Sequence, residues 1–189
     1  MFGGVYDDQD RLIEYTTLPG GTTTYDYTDN GDLKIKDGPE GTTTYTYDAL
    51  GNLRKVVLPD GTPITYLVDG RNRRIGKKVG GILRQAFLYK DQLNPVAELD
   101  GAGNLVSEFV YATKANVPDY MIHYDDPDPG LTTTYRIISD HLGSVRLVVN
   151  VSDGTVAERI DYDEFGVVVG SLRIGRALSS LPLQVQRRM

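Results

Sequence analysis

The sequence predicts an all-β chain built as an array of β-hairpins, and three observations carry that expectation. A motif of tyrosines, an acid, a glycine and a leucine recurs every 20 to 21 residues: "GTTTYDYTDNGDL" at Gly21–Leu33 returns as "GTTTYTYDALGNL" at Gly41–Leu53. Within each copy the side chains alternate with period two, as a pleated strand requires. No window before the C-terminal tail carries a sustained 3.6-residue apolar pattern.

The elements follow in chain order. "YDDQDRL" at Tyr6–Leu12 is a half-copy, and Gly21, Gly41 and Gly61 then open the threonine-rich strands "GTTTYDY", "GTTTYTY" and "GTPITYLV". Tyr6, Tyr27, Tyr47, Val68 and Tyr89 fall at successive steps of 21, 20, 21 and 21 residues. Thr22, Thr24 and Asp26 are placed on one face of a strand, and Thr23, Tyr25 and Tyr27 on the other. β-Branched threonine and aromatic tyrosine suit the pleat. The turns "DNG" (Asp29–Gly31) and "ALG" (Ala49–Gly51) supply the positive-φ residue a tight hairpin needs, so Leu33–Ile35 and Leu53–Val57 are read as returning strands. One unit is one hairpin. A lone hairpin is marginal in water, so the unit implies a stacked array. Tyr47 is expected to be buried against Tyr27 of the neighbouring unit.

Weaker copies follow at "FLYKDQLNPVAEL", "LDGAGNLVSEFVY" and "VVNVSDGTVAERIDYDEFG". Residues 111–134 ("YATKANVPDYMIHYDDPDPGLTTT") break the rhythm with Pro118, Pro127 and Pro129 and read as a surface excursion. The expected organisation is therefore repeats over 1–110, the excursion over 111–134, a further β segment over 135–169 and a basic, divergent tail over 170–189, which holds four arginines and no acid.

Composition narrows the function. The 189 residues include 13 tyrosines, 4 phenylalanines and no tryptophan, a balance that suits half-buried β positions where the ring packs and the hydroxyl reaches water. Cysteine is absent, which removes disulfides, cysteine nucleophiles and thiolate metal sites. A formal charge of −6 argues against nucleic acid or an anionic membrane as partner. No apolar run approaches the ~20 residues of a spanning helix. "MFGGVYDDQD" has neither the basic nor the apolar region of a signal peptide.

Candidate chemistry is sparse. Asp48, with Asp7 and Asp69, is a possible metal ligand, but no acid cluster has calcium-loop spacing, and aspartate at a strand end commonly accepts backbone N–H groups. Asp125, Asp126 and Asp128 read as a solvated loop. Asp140, His141 and Ser144 are too close along one strand and turn to converge as a hydrolase site. "KKVGGILR" lacks the phosphate-loop pattern and reads as a turn. The basic run Arg71, Arg73, Arg74, Lys77, Lys78 with Arg84 is a solvated hairpin face, or a strip for an acidic partner or glycan. No cofactor and no metal site is expected.

"YTYDALGNL" (Tyr45–Leu53) resembles the YD repeat of Rhs-type proteins; "DHLGSVR" (Asp140–Arg146) resembles the signature opening the Rhs-associated core region; and "YDEFG" (Tyr162–Gly166) resembles the motif that follows it. The resemblance covers Tyr6 to Gly166. It assigns Tyr25, Tyr27, Gly31, Tyr45, Tyr47, Asp48, Gly51 and Asp69 to the repeat motif, and Asp140, His141, Leu142, Gly143, Arg146, Tyr162, Asp163, Phe165 and Gly166 to the core-region motif. It implies a sheet that spirals into a hollow shell around a C-terminal toxic domain, as in bacterial insecticidal toxin complexes and polymorphic toxins; the related teneurins use a similar barrel in adhesion. It implies secretion, or display at the cell surface, by a dedicated system. In the toxin families the core region also cuts the chain by aspartyl autoproteolysis. The cut-site segment has no counterpart after Gly166, and "DPDPGL" at Asp126–Leu131 lies upstream of DHLGSVR. The expectation is a non-catalytic shell fragment partnered by the rest of the shell and its cargo, self-associating through sheet edges. The alternatives are an adhesive or glycan-binding module and a self-cleaving processing domain.

Overall fold

The computed structural model describes residues 3–124, 130–163, 166 and 168–173. All regular structure among them is β. The chain divides into two compact units, Met1–Arg84 and Gln85–Met189, and the division falls within one strand. Within each unit, every strand runs antiparallel to the strands it pairs with.

The first unit is a meander of β1 (Gly3–Tyr6), β2 (Leu12–Thr17), β3 (Gly21–Tyr27), β4 (Leu33–Gly38), β5 (Gly41–Tyr47), β6 (Leu53–Val57), β7 (Pro63–Val68) and β8 (Arg74–Val79), each pairing with the next. The alternation read from the sequence is present: Thr23, Tyr25 and Tyr27 are half-buried and Thr22, Thr24 and Asp26 exposed. Cross-strand rows join the tyrosines to their neighbours. Tyr25 lies opposite Lys36, which lies opposite Thr43; Tyr45, Val56, Ile64 and Val79 form a second row. Val56 is the one buried large apolar residue among the described part of this unit. Tyr47 is half-buried rather than sealed, with Asp32 and Tyr45 in its electrostatic surroundings. A single sheet layer presents each ring to its strand neighbours only, so half-burial is the limit its geometry allows.

The second unit contains β9 (Ile82–Tyr89), β10 (Pro95–Leu99), β11 (Leu105–Val110), β12 (Tyr120–Tyr124), β13 (Thr132–Ser139), β14 (Val145–Asn150), β15 (Val156–Tyr162) and β16 (Val168–Arg173), again each paired with the next. Its core is different in kind. Phe109, Met121, Ile137, Val145, Val148, Ala157 and Ile160, from five successive strands, form one buried cluster against which Tyr111, Tyr135 and Tyr162 pack.

Two expectations need correction. The excursion read over 111–134 contains β12 and the start of β13: Tyr120–Tyr124 pairs with both Val110–Ser107 and Arg136–Thr132. The prolines mask a strand whose apolar Met121 and Ile122 have paired neighbours on both sides. Asp125, Asp126 and Asp128 lie outside the described residues. The boundary placed at residue 170 is crossed by β16, which stays paired with β15 as far as Arg173; residues 174–189 are not described.

The repeat period is also written in the turns opposite the Tyr-Asp ends. Gly21 (φ +92°) faces Pro39, and Gly41 (φ +106°) faces Pro59: a Cβ built on either glycine would stand 2.9 Å and 3.0 Å from the respective proline ring. Each proline thus covers a glycine in the preceding turn of the same edge. Gly51, in contrast, has positive φ (+79°) but open space around it. Gly51→Ala should cost about 1 kcal/mol, the strain of a left-handed residue. Gly41→Ala should cost clearly more, because strain and a proline contact add. Equal shifts in melting temperature would remove the proline–glycine contact from the account.

Candidate functional site

The motif residues meet at one recurring turn. In the β5–β6 hairpin, Asp48 N–H donates to the Asn52 carbonyl (3.0 Å) and Gly51 N–H donates to the Asp48 carbonyl (3.0 Å). The Asp48 carboxylate Oδ1 accepts from the N–H groups of Leu50 and Asn52, both at 3.0 Å, and Asn52 Nδ2 donates to both carboxylate oxygens at 3.1 Å. The carboxylate therefore satisfies the backbone donors that the tight turn leaves unpaired. The backbone pair of this turn recurs at Asp7/Arg11, Thr28/Asp32, Leu58/Thr62, Asp69/Arg73, Asp100/Asn104 and Asp140/Ser144. In each the fourth residue is in the left-handed region: Asp10, Gly31, Gly51, Gly61, Asn72, Gly103 and Gly143.

Register fixes the rest. Tyr27 pairs with Leu33 and Tyr47 with Leu53, but Asp26 pairs with Ile35 and Thr46 with Lys55, leaving one extra residue in the returning strand. The same bulge occurs at Ser139–Val145, beside the DHLGSVR turn, and at Tyr162–Val168. A bulge re-aims a side chain. Its extra residue is Arg54 in one case and Arg146 in another, and both reach back to the aspartate six positions earlier: Arg54 Nη1 is 3.5 Å from Asp48 Oδ2, and Arg146 Nε donates to Asp140 Oδ2 at 3.0 Å.

The core-region motif is thus the repeat turn again. Asp140 Oδ1 accepts from the N–H groups of Leu142 and Ser144 at 3.0 Å, as Asp48 does from its own turn. Arg146 then lies over the Tyr162 ring at 4.8 Å, as Arg11, bonded to Asp7 at 2.7 Å, lies over Tyr27 at 5.1 Å. Tyr27 completes its unit by donating its hydroxyl to the Leu12 carbonyl at 2.7 Å. These cation–ring contacts couple one hairpin to the next. Asp163 accepts at its carbonyl from Gly166 N–H (3.1 Å), where φ is +78°. Phe165 lies outside the described residues. His141 and Leu142 sit exposed at the turn tip. Asp140, His141 and Ser144 do not assemble a nucleophile: the carboxylate is committed to two backbone N–H groups and an arginine.

The electrostatics follow. The Arg73 side chain, then its N–H, then that of Arg71, hold the Asp69 carboxyl at about 2, against the opposing effect of desolvation. The N–H of Asn52 is the leading cause that lowers Asp48. Burial pushes Asp140 up, but the Ser144 N–H and Arg146 together leave it below the usual carboxylate value.

Sequence reading missed Asp119, which is 3% exposed. It closes the Ala112–Pro118 loop in mirror fashion, from the strand that follows instead of the one before. Its Oδ2 accepts from the N–H groups of Ala112 (2.8 Å) and Thr113 (2.7 Å), its Oδ1 from the Thr113 hydroxyl (2.5 Å), and Arg136 stands 3.5 Å away. The Thr113 hydroxyl and these N–H groups hold its carboxyl at about 2. The loop reaches sideways: Asn94 Nδ2 donates to the Ala115 carbonyl (3.0 Å), and Lys114 Nζ donates to Ser139 Oγ. The only available signal was an aspartate directly after a proline in a segment without repeat character. Ser107 and His123 face each other at 3.2 Å, but Ser107 is wholly buried and out of substrate reach. Among the described residues no three His, Asp or Glu side chains converge as a metal site.

Asp119→Asn should lower stability by on the order of 2–3 kcal/mol, since charge-assisted bonds to buried donors are weakened. Asp69 and Asp119 have folded pKa values of about 2, below an unfolded value near ~3.9. Their contribution is complete above the unfolded value and is lost as pH falls from about 4 toward 2. The melting temperature should drop across that window, and the drop should shrink in the Asp69→Asn/Asp119→Asn double variant. An unchanged acid limb in that variant would show that these carboxylates do not carry the turns.

A model of the Teneurin YD-shell family matches residues 4–172. No curated protein sequence matches. Among solved structures, a crystal structure of TcdB2-TccC3-TEV is similar at 14% identity and a TM-score of 0.45, over 90% of this chain. The Photorhabdus luminescens Tc holotoxin pore is similar at 14% identity and a TM-score of 0.37, again over 90% of this chain. The chain spans 12% of the first of those chains and 11% of the second. With the family model running through every described turn of the array, the chain belongs to the Teneurin YD-shell family.

Proposed function

We propose that this chain is a non-catalytic wall segment of a YD shell, carried outside the cell or displayed on its surface, whose complete form encloses a C-terminal toxin or effector domain. One observation carries the reading. The motif carboxylates Asp48, Asp69 and Asp140 are all spent on backbone N–H groups and basic side chains of their own turns. Such residues build a wall and have no free valence for substrate. In this reading residues 1–110 are repeats, 111–119 tie two neighbouring turns together, and the segment that opens the associated core region runs on through β16 to Arg173. The partners are the remaining shell strands and the enclosed domain; a bacterial toxin complex is the setting that the DHLGSVR and YDEFG motifs favour.

A second reading, glycan binding, draws on one feature. Tyr45 and Tyr47, with Asp32, Lys34 and Asp48, line a shallow depression of about 350 Å³ in which rings and polar groups lie side by side.

Limited proteolysis of the full gene product tests the shell. The C-terminal domain should be protected in the intact protein and digested when residues 41–57, one hairpin, are deleted; equal digestion of both would sink the enclosure. The isolated chain should self-associate at micromolar concentration in sedimentation, because β1 is fully exposed and its outer edge is open to pairing among the described residues. Val5→Lys should reduce that association. A monomer unaffected by the charge would show that the edge is not an adhesive one.

A further inference from the structure

The turn between β3 and β4 departs from the clamp its neighbours share. It opens on Thr28, where Asp7, Asp48, Asp69, Asp100 and Asp140 open theirs, and it ends on Asp32, at the position Arg11 holds in the preceding turn. The backbone closes regardless. Thr28 N–H donates to the Asp32 carbonyl at 2.8 Å, and Thr28 Oγ1 accepts from Asp32 N–H at 3.1 Å. The Asp32 carboxylate is left over: its one hydrogen bond among the described residues comes from the Thr28 hydroxyl at 3.5 Å. Lys34, the bulge residue equivalent to Arg54, has no aspartate six positions earlier and lies 3.7 Å from Asp26 Oδ2 instead.

The exchange uncovers a ring. One unit earlier, Arg11 lies over Tyr27 at 5.1 Å and the Tyr27 hydroxyl donates to the Leu12 carbonyl at 2.7 Å. Lys90 and Tyr111 repeat that pair at 5.9 Å, with the Tyr111 hydroxyl donating to the Pro95 carbonyl at 2.9 Å. Tyr47 holds the place of Tyr27 one hairpin on, with Asp32 beside it where a cation would stand. Among the described residues no cation lies over the Tyr47 ring, and its hydroxyl makes no hydrogen bond. What remains is a depression of about 350 Å³ whose lining includes Tyr45, Tyr47, Asp32, Asp48 and Lys34, two carboxylates against one ammonium. A guanidinium can stack on such a ring while its N–H groups meet the neighbouring carboxylate.

We propose that this depression receives an arginine side chain from a partner polypeptide, in the place that the chain's own Arg11 fills one unit earlier. Tyr47 supplies the stacking face and Asp32 the acceptor. Asp48 adds negative charge, but its oxygens are already bonded within its own turn. The uncompensated carboxylate selects a basic peptide segment over the neutral sugar that the rings alone would suit. Such a site does not depend on whether the complete shell encloses a domain.

Ligand-observed saturation-transfer NMR on the full chain tests it, with acetyl-Gly-Arg-Gly-amide as the probe. The same peptide carrying citrulline, the uncharged isostere of arginine, is the control. The arginine peptide should show transfer and the citrulline peptide little or none. Asp32→Arg should fill the depression from within, as Arg11 does, and abolish the signal without lowering the melting temperature. Asp32→Asn and Tyr47→Leu keep the test decisive if that variant does not fold: each should weaken binding about two- to fivefold. Glu40→Gln removes an exposed acid from the β4–β5 turn, at the other end of the strands, and should leave binding unchanged. No transfer from the arginine peptide overturns the proposal. So does binding that survives Asp32→Arg, that falls equally in Glu40→Gln, or that the citrulline peptide matches. Transfer from maltotriose but not from the arginine peptide, lost in Tyr47→Leu, would overturn it in favour of glycan binding.

Discussion

The recurring hairpin of this chain depends on one carboxylate closing one tight turn, at Asp7, Asp48, Asp69, Asp100 and Asp140. A strand that reverses within a few residues leaves N–H groups facing inward with nothing to bond. Asp48 meets two of them, and Asp7, Asp69, Asp100 and Asp140 do the same in their own turns. That bonding needs a left-handed residue at the fourth position, and the bulge that follows sets which returning side chain comes back to the carboxylate. Arginine at the bulge then supplies a second anchor and, at Arg146, a surface on which the next unit's tyrosine lies. Turn, bulge and ring contact are consequences of a single bonding requirement.

Repetition follows because the turn couples to its neighbours as well as to itself. Asn52 Nδ2 donates to Asn72 Oδ1 at 3.2 Å, linking two successive turns on one edge. Pro39 over Gly21 and Pro59 over Gly41 do the same on the other edge. These contacts require equivalent residues at one fixed spacing, so a unit of different length would lose them on both edges together. The two compact units solve burial differently. The repeats of the first half-bury tyrosine rings along a single layer, while β11 to β15 gather large apolar side chains into a cluster. The loop closed by Asp119 belongs to this second unit, where it fastens the Asn94 turn and the Ser139 turn to a strand between them.

The clamp also explains why an acid-rich, tyrosine-rich surface is poor in candidate chemistry. A catalytic carboxylate needs a free lone pair and a proton it can exchange near neutral pH. Asp69 and Asp119 have neither, since their oxygens are occupied and their protons leave at about 2. The residues that recur most visibly are those most fully committed to holding backbone.

The sequence by itself determined the β class, the hairpin unit, the 20-residue spacing and the role of aspartate in the turns. All of these are local: they depend on residues within one unit and on alternation along one strand. It did not disclose that DHLGSVR is the same turn as YDALGNL, because Ser139 and Val145 replace the tyrosine and leucine and only the register shows the equivalence. Nor did it place β12, whose pairing partners are eight or more residues away on either side and whose own segment carries the prolines and acids of a loop. Asp119 was invisible for a related reason. Its partners precede it where every other clamp's partners follow, so the bonds exist only once β11 and β12 have paired and brought Ala112, Thr113 and Asp119 to one edge. Tertiary pairing decides which aspartates close a turn from behind, because that geometry is set by a neighbouring strand and not by the turn's own residues.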